Sequence, residues 1–574
     1  VIGLISATAA GASARDRLAT AWPGRTRVYD GPVGRAVERA FAECEQLVCF
    51  LATGATVRLL APLLAGKTTD PGVVCVDEAG RYAVSLLGGH GGGANSLASE
   101  VASVLAATPV ITTATDATGV PGLDTLGLPV EGALAAVTRA VLDGAPVALR
   151  ADAVWPLPPL PPNVTRGGAD TVTPGGATLL LTDRVVPLGP TDVVLRPPSL
   201  VVGVGAGRGV SGDEVYDVVR DALRDAGLSV LSVAELATVD AKADEPGIVE
   251  AAGRLGVPVR TYPAGVLAGV AVPNPSDAPL AAVGTPSVAE AAALTAGRGG
   301  ELLVQKRKSS PEGRPAMATC AVVRRPPRGR LAVVGLGPGA RDLLTPRATA
   351  ELRRASVLVG LDQYVDQIRD LLRPGTRVIE SGLGHEEERA RTAVAETRAG
   401  HAVALIGSGD AGVYAMASPA LAEAADDIEV VGVPGVTAAL AAAAILGAPL
   451  GHDHVSISLS DLHTPWEVIE RRVRAAAEAD IVVTFYNPRS RGRDWQLPKA
   501  LELLAEHRTA TTPVGVVRNA SRPDGTSRLT TLARLDPATV DMMTVVTVGN
   551  TATREIAGRM VTPRGYRWQS EGAR

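Results

Sequence analysis

Short runs of Val, Ile, Leu and Ala recur along this chain, and several end directly in a glycine-bearing turn. Leu331 to Val334 leads into Gly335-Leu-Gly-Pro-Gly339, and Val403 to Ile406 leads towards Ser408-Gly-Asp-Ala-Gly-Val-Tyr414. Ile481 to Phe485 leads into Phe485-Tyr-Asn-Pro-Arg-Ser-Arg-Gly-Arg493. A buried strand followed at once by glycines leaves open backbone at a strand end, which is where α/β sheets hold ligands. With 574 residues the chain is too long for one core and suits roughly three or four domains. Its 46% hydrophobic but 3% aromatic composition, with 63 Gly, suits short buried strands alternating with Ala-rich helices. So few aromatic residues argue against stacking platforms for bases. The net charge of -4 and pI near 6.1 give no global attraction to nucleic acid or to an anionic membrane, so an anionic ligand needs a local basic cluster.

Cys44, Cys49, Cys75 and Cys320 show no Cys-x-x-Cys spacing and no disulfide-scaffold density, which points to buried thiols in a reducing cytoplasm. The most apolar stretch, Val436 to Leu450, is broken by Gly447 and Pro449 and falls short of the ~20 residues that a bilayer span needs. The start at Val1, without Met, shows no charged segment followed by an apolar signal core.

Residues 1–119 alternate apolar runs such as Gln46 to Ala52 with helical stretches such as Asn95 to Ala107, an α/β pattern. Residues 120–198 are rich in Pro, Gly and Thr and read as a small linking module or an extended connection. A further α/β unit spans 199–324, with a helix expected from Gly212 to Ala226. Residues 325–330 read as a solvated linker. From 331 to 566 the alternation is cleanest, with strands expected at Leu331 to Val334, Val357 to Val359, Val403 to Ile406, Ile428 to Val431, Val455 to Leu459, Ile481 to Phe485, Val514 to Val517 and Thr544 to Val548. Helices are expected at Glu386 to Arg398 and Pro465 to Ala477.

The first glycine loop alone is weak. A dinucleotide loop wants a later third glycine, an open helix start and an acid ~20 residues on, and Pro338 fits that scheme badly. A nicotinamide-dependent oxidoreductase is nevertheless the nearest rival enzyme. A cationic sulfonium ligand suits glycine-lined, largely neutral backbone better. Asp410 either accepts from such a ligand, accepts from its own loop, or caps the following helix.

Taken jointly, Gly335 to Gly339, Ser408 to Tyr414, Pro434 to Ala438, Ser458 to Trp466 and Phe485 to Arg493 resemble the tetrapyrrole methyltransferases in order and spacing. Within that superfamily they are most similar to precorrin-3B C(17)-methyltransferases of vitamin B12 synthesis. The resemblance implies a two-lobed class III S-adenosylmethionine methyltransferase module, with lobes at about 331–436 and 437–566, usually a homodimer, taking a tetrapyrrole substrate. It places S-adenosyl-L-methionine contacts at Pro338, Ser408, Gly409, Asp410, Val413, Thr437, Ala438, Asn487 and Ala520. Methyl transfer by in-line displacement asks for alignment and exclusion of water, with no metal. Arg489, Arg491 and Arg493 suit the carboxylates of a precorrin, or form a solvated loop. Asp461 and His463 are acid–base candidates for ring contraction, or are merely hydrogen-bonded.

Ahead of that module, Gly54 to Leu64, Asp70-Pro71, Val76-Asp-Glu78 and Leu86 to Asn95 resemble the amino-terminal domain of cobalt-precorrin-5A hydrolase. Gly203-Val-Gly205, Asp240 to Gly247, Ser287 to Glu290 and Lys306 are similar to its carboxy-terminal domain, with Ala206 where a cysteine is common. The implied architecture is α/β and multidomain, two α/β hydrolase-family domains fused before the methylase module. That family opens a lactone and releases acetaldehyde. His90 is a candidate to activate water or polarise the carbonyl, or a structural histidine of the turn. Lys242 and Glu290 either contact a polycarboxylate substrate or sit at solvated helix ends. The alternative to a hydrolase in front is a non-catalytic corrinoid-binding scaffold.

Overall fold

The computed structural model describes the chain apart from residues 67–68, 114, 116–117, 168–175, 491 and 567–574. Two compact units divide it, one of Val1–Val154 with Leu160–Pro327, the other of Trp155–Pro159 with Arg328–Arg574.

Among its described residues the first unit contains three sheets. The leading one has six strands in the order Thr26–Val28, Ile2–Ser6, Gln46–Phe50, Gly72–Val76, Tyr82–Leu87 and Thr108–Val110. They pair in parallel except where Gly72–Val76 meets Tyr82–Leu87. The helix Ala94–Leu105 buries Leu97, Ala98, Val101 and Leu105 against this sheet, the spacing of an amphipathic helix over a core. The Pro- and Gly-rich stretch 120–198 is a folded module with a five-stranded sheet, not an extended connection. Its strands Val147–Ala151, Ala177–Leu181 and Asp192–Leu195 are short apolar runs that the intervening prolines keep apart.

The third sheet runs Val259–Tyr262, Val233–Val239, Leu200–Ala206, Ala318–Arg324 and Glu301–Lys308. Ser211 caps the helix Gly212–Asp225 by accepting the Glu214 N–H, and Val215, Val218, Val219, Ala222 and Leu223 face the sheet. A methyl group on Gly203 would lie 1.9 Å from the Ala289 carbonyl, so the glycine lets the helix Val288–Gly297 rest directly on its strand.

The second unit has two lobes. In the first, Arg377–Ser381, Val357–Leu361, Ala402–Gly407, Arg330–Gly335 and Glu429–Val433 form a wholly parallel sheet in that order. In the second, His454–Ser458, Val482–Tyr486, Thr544–Val548, Pro513–Arg518 and Thr526–Thr531 form a mainly antiparallel sheet. All eight expected strand runs lie within one residue or two of observed strands, and the helix expected at Glu386 to Arg398 is found there. The two edge strands Arg377–Ser381 and Thr526–Thr531 were missing from that reading, since half-exposed RVIES and TSRLTT carry no apolar run. The apolar stretch Val436 to Leu450 contains the helix Ala438–Leu446, stopped at Gly447 where φ is 127°. Among the described residues no helix is long and apolar enough to cross a membrane. The expected linker ends inside structure, because Arg330 opens a strand and its guanidinium is held by Glu351 at 2.9 Å and Glu429 at 3.3 Å.

All four cysteines are buried and unpaired. Burial pushes the Cys320 thiol up to about 12 and the Cys49 thiol well above its ordinary range, so neither forms thiolate near pH 8. An aromatic disulfide reagent at pH 8 should leave Cys49 and Cys320 unlabelled in the native chain and label both after denaturation. Rapid native labelling of either, located by peptide mapping, contradicts this packing.

Candidate active site

Three neighbouring parallel strands of the second unit, Ala402–Gly407, Arg330–Gly335 and Glu429–Val433, point their carboxyl ends the same way. Their following loops converge so closely that only backbone separates them. An ideal methyl on Gly335 would lie 2.7 Å from the Gly409 carbonyl, and one on Gly435 would lie 2.1 Å from that same oxygen. Gly409, in the left-handed region at φ 66°, lets its peptide pair with Gly337: the Gly337 N–H donates to Gly409 O at 2.9 Å and the Gly409 N–H to Gly337 O at 2.8 Å. Asp410 fastens the junction, accepting the Gly412 N–H at 2.8 Å and the Gly435 N–H at 3.0 Å. Of the roles open to Asp410 in the sequence, the structure shows it bracing two loops, with no part in starting a helix.

The second lobe completes the walls. The Tyr486 hydroxyl lies 2.6 Å from Thr437 Oγ1 and accepts the Ala439 N–H at 2.8 Å, serving as the missing cap of the helix Ala438–Leu446. Tyr414 donates its hydroxyl proton to the Ser456 carbonyl at 2.7 Å, and its ring packs 5.2 Å from that of Tyr486. Asn487 takes the left-handed conformation at φ 50°, tolerated by asparagine, and its amide donates to Ser458 Oγ at 3.0 Å. Arg522 donates from Nε to the Pro338 carbonyl at 3.2 Å. Between these groups lies a cavity of 240 Å³ whose walls include Ser408, Gly409, Val413, Thr437, Ala438 and Asn487. Val413, Tyr414, Ala415 and Met416 also border a larger cleft of 1250 Å³, so the two spaces lie side by side and share these wall residues.

The remaining expected site residues sort differently. Pro338 is buried in its loop, and Ala520 packs with Ala441, Leu446 and Val517 in the core. His463 borders the large cleft, while Asp461 accepts from Gln496 Nε2 at 2.9 Å and does not border it. The arginine cluster departs from the expected carboxylate clamp. Arg493 is 9% exposed and donates to the carbonyls of Leu459 at 3.0 Å and Asn487 at 2.6 Å, and burial lowers its pKa. Arg489 donates to the Ala538 carbonyl at 2.7 Å, and Arg491 lies outside the described residues. Backbone oxygens therefore take the Nη1 donors of both described arginines, neither of which borders the large cleft, and Arg493 positions Asn487. Tyr486, Arg522 and Glu386 escaped the sequence reading, because their partners sit on distant segments and no local pattern marks them.

In the first unit, His90 stands between two groups, with Nε2 3.3 Å from Thr115 Oγ1 and Nδ1 3.7 Å from Asp124 Oδ1. Gly122 makes the approach possible, since a methyl there would lie 2.7 Å from the Asp124 carboxylate and 3.2 Å from the imidazole. Glu290 is a correction to its expected substrate contact. It is fully buried, accepting the N–H groups of Asn274 at 3.0 Å and Lys306 at 2.9 Å and the Asn274 amide at 2.7 Å. Lys242 pairs with Glu245 at 2.7 Å, which in turn accepts the Gly209 N–H at 2.6 Å, again an internal brace.

Residues 330–536 match the family of tetrapyrrole (corrin/porphyrin) methylases. Residues 35–116 match the cobalamin synthesis G N-terminal family and 200–323 the cobalamin synthesis G C-terminus family. A cobalt-factor III C(17)-methyltransferase of Salmonella typhimurium is 48% identical over 239 residues, which covers 41% of this chain and 99% of that protein. A precorrin-3B C(17)-methyltransferase of Sinorhizobium is 42% identical over 255 residues, with coverage of 42% and 99%. The chain spans 45% of a cobalt-factor III methyltransferase of Priestia megaterium at 41% identity. A crystal structure of the methyltransferase CobJ aligns with a TM-score of 0.39 and 39% identity over 41% of this chain and 100% of that one.

Replacing Gly435 by Ala should cost ~1–3 kcal/mol in denaturant unfolding, because the new methyl meets carbonyl backbone that cannot yield without moving the junction. Gly432→Ala, where nothing lies within 4 Å of the added methyl, should be neutral. Equal behaviour of the two variants contradicts the close packing.

Proposed function

The chain belongs to the tetrapyrrole (corrin/porphyrin) methylases through residues 330–536, and on that premise we propose that its second unit methylates carbon 17 of precorrin-3B or its cobalt form, with ring contraction, in cobalamin biosynthesis. The observation that carries the reading is the glycine junction, whose small cavity lies beside a cleft large enough for a macrocycle and shares wall residues with it. The walls fit S-adenosylmethionine: neutral backbone, the hydroxyls of Ser408 and Thr437, and the amide of Asn487 suit a nucleoside and amino acid, and the charged wall groups Glu386 and Arg389 pair with one another. When bound, that cofactor supplies the electrophilic methyl group. Ser408, Gly409, Val413, Thr437, Ala438 and Asn487 would hold it. Asp410 keeps the loops in place, and Pro338 and Ala520 contribute backbone.

The chain's own contribution is alignment and dryness. Tyr414 ties the lobes through its bond to the Ser456 carbonyl and its ring contact with Tyr486, which limits water at the reacting centre. His463 faces the cleft and is assigned the proton movement of ring contraction, with Asp461 shaping its loop through Gln496. The same reading expects a homodimer, which analytical ultracentrifugation reads directly, and a reducing cytoplasm suits the unpaired thiols.

For the first unit the reading is a cobalt-precorrin-5A hydrolase activity, favoured by the setting of His90. A carboxylate opposite Nδ1 favours the Nδ1–H tautomer, an assignment from surroundings, and leaves Nε2 as the base beside Thr115. His90→Ala should lower acetaldehyde release from the lactone by roughly a hundredfold or more. Asp124→Asn should lower it with an altered pH profile. Binding of the tetrapyrrole with no acetaldehyde from the unaltered chain would make this unit a scaffold.

Methyl-labelled donor incubated with precorrin-3B or its cobalt form should give a singly methylated, ring-contracted product by mass, and His463→Ala should slow its formation. Absence of label from both tetrapyrroles overturns the proposal.

A further inference from the structure

The large cleft of the second unit has an uneven charge account. Its acidic lining groups are already neutralised: Glu386 pairs with Arg389 at 3.1 Å and Glu387 with Arg391 at 3.2 Å. Its cationic lining group is Arg472, and among the described residues Arg472 makes no hydrogen bond and no ion pair. Arg472 is exposed, and its five donors, whose fork matches carboxylate geometry, are served only by solvent. In the expected clamp, Arg489 and Arg493 each spend Nη1 on backbone carbonyls, and neither borders the cleft.

Arg472 is also placed where a flat ligand would lie. It sits on the helix Trp466–Glu478, and Arg472, Ala475, Ala476 and Ala479 border the cleft at helical spacing, so the wall below the charge is shallow and apolar. Tyr414, Ser456 and Ile457 line the same cleft. Burial pushes the Tyr414 hydroxyl up, and the Arg472 charge opposes that shift. An apolar floor of alanines with one uncompensated cation at its edge complements a broad, flat, apolar ring system bearing a peripheral carboxylate.

We propose that Arg472 is the residue that anchors the tetrapyrrole, taking one of its acetate or propionate carboxylates and so fixing the macrocycle's orientation against the donor cavity. This rests on the methyltransferase reading of the second unit. It moves substrate recognition from the loop at Arg489 to Arg493 onto the helix Trp466–Glu478.

The test uses the full chain and uroporphyrin III, a tetrapyrrole octacarboxylate, with hydrogen-exchange protection of peptides between residues 455 and 479 as a local readout. Uroporphyrin should protect these peptides in the unaltered chain. Arg472→Ala should weaken that protection with a roughly 10- to 100-fold loss of affinity, and Arg472→Lys should fall between. Arg471→Ala removes the same charge from an exposed neighbour that does not border the cleft, and should leave affinity unchanged. Binding of S-adenosylhomocysteine should be equal in all four proteins, which shows that the variants fold. In methyl transfer, Arg472→Ala should raise KM for the macrocycle far more than it lowers kcat. Protection in Arg472→Ala within about threefold of the unaltered chain overturns the proposal alone. No protection by uroporphyrin in the unaltered chain overturns both the proposal and the substrate reading of the cleft.

Discussion

Three backbone segments meet where side chains would collide, and the second unit is arranged around that meeting. Gly335, Gly409 and Gly435 allow strand-end loops to touch through carbonyl and amide groups, and Asp410 holds the contact by accepting two of the amides. A parallel sheet brings its strand ends to one edge, so the loops converge by topology, and the glycines let them converge without closing the cavity. The second lobe then joins the site, with Tyr414 of the first lobe bonded to its Ser456 carbonyl and its own Tyr486 bonded to Thr437. The site is thus made of rigid elements and neutral backbone, which suits a task of orientation more than one of charge chemistry.

The distribution of guanidiniums separates structural from ligand-facing roles. Arg330, Arg389 and Arg493 are buried and each is occupied by carboxylates or carbonyls. Burying a guanidinium is costly unless its donors are met, and Arg330 meets them with carboxylates, Arg389 and Arg493 with loop carbonyls. Arg493 shows the consequence: it fixes the carbonyl of Asn487, whose left-handed backbone turns the amide towards Ser458. A short Arg-rich motif can therefore serve a site by holding its loop without touching the ligand. The first unit follows the same logic, since Glu290 and Glu245 are occupied by backbone amides.

Much of the fold was legible in the sequence because its strands are continuous apolar runs and its turns are glycine and proline. Leu331 to Val334 and Val403 to Ile406 announce buried strands, and the glycines after them announce loops. The edge strands Arg377–Ser381 and Thr526–Thr531 were not legible, since a half-exposed strand needs no hydrophobic run. The module at 120–198 was obscured by its prolines, which mark its loops and hide the short strands between them. For the site, the sequence located the loops but not the side-chain directions. Arg489 and Arg493 look like a ligand clamp only until their carbonyl partners from distant segments are known. His90 was visible in its glycine turn, while Asp124, on another segment, carries no local signal that it faces that imidazole.

The central claim is that the glycine junction forms the floor of a donor site. A crystal structure of the chain with S-adenosylhomocysteine tests it most directly. The account predicts the ligand seated beside Ser408, Gly409, Thr437 and Asn487, with its sulfur towards the larger cleft. A ligand bound elsewhere, or loops closed over one another with the ligand excluded, would contradict it.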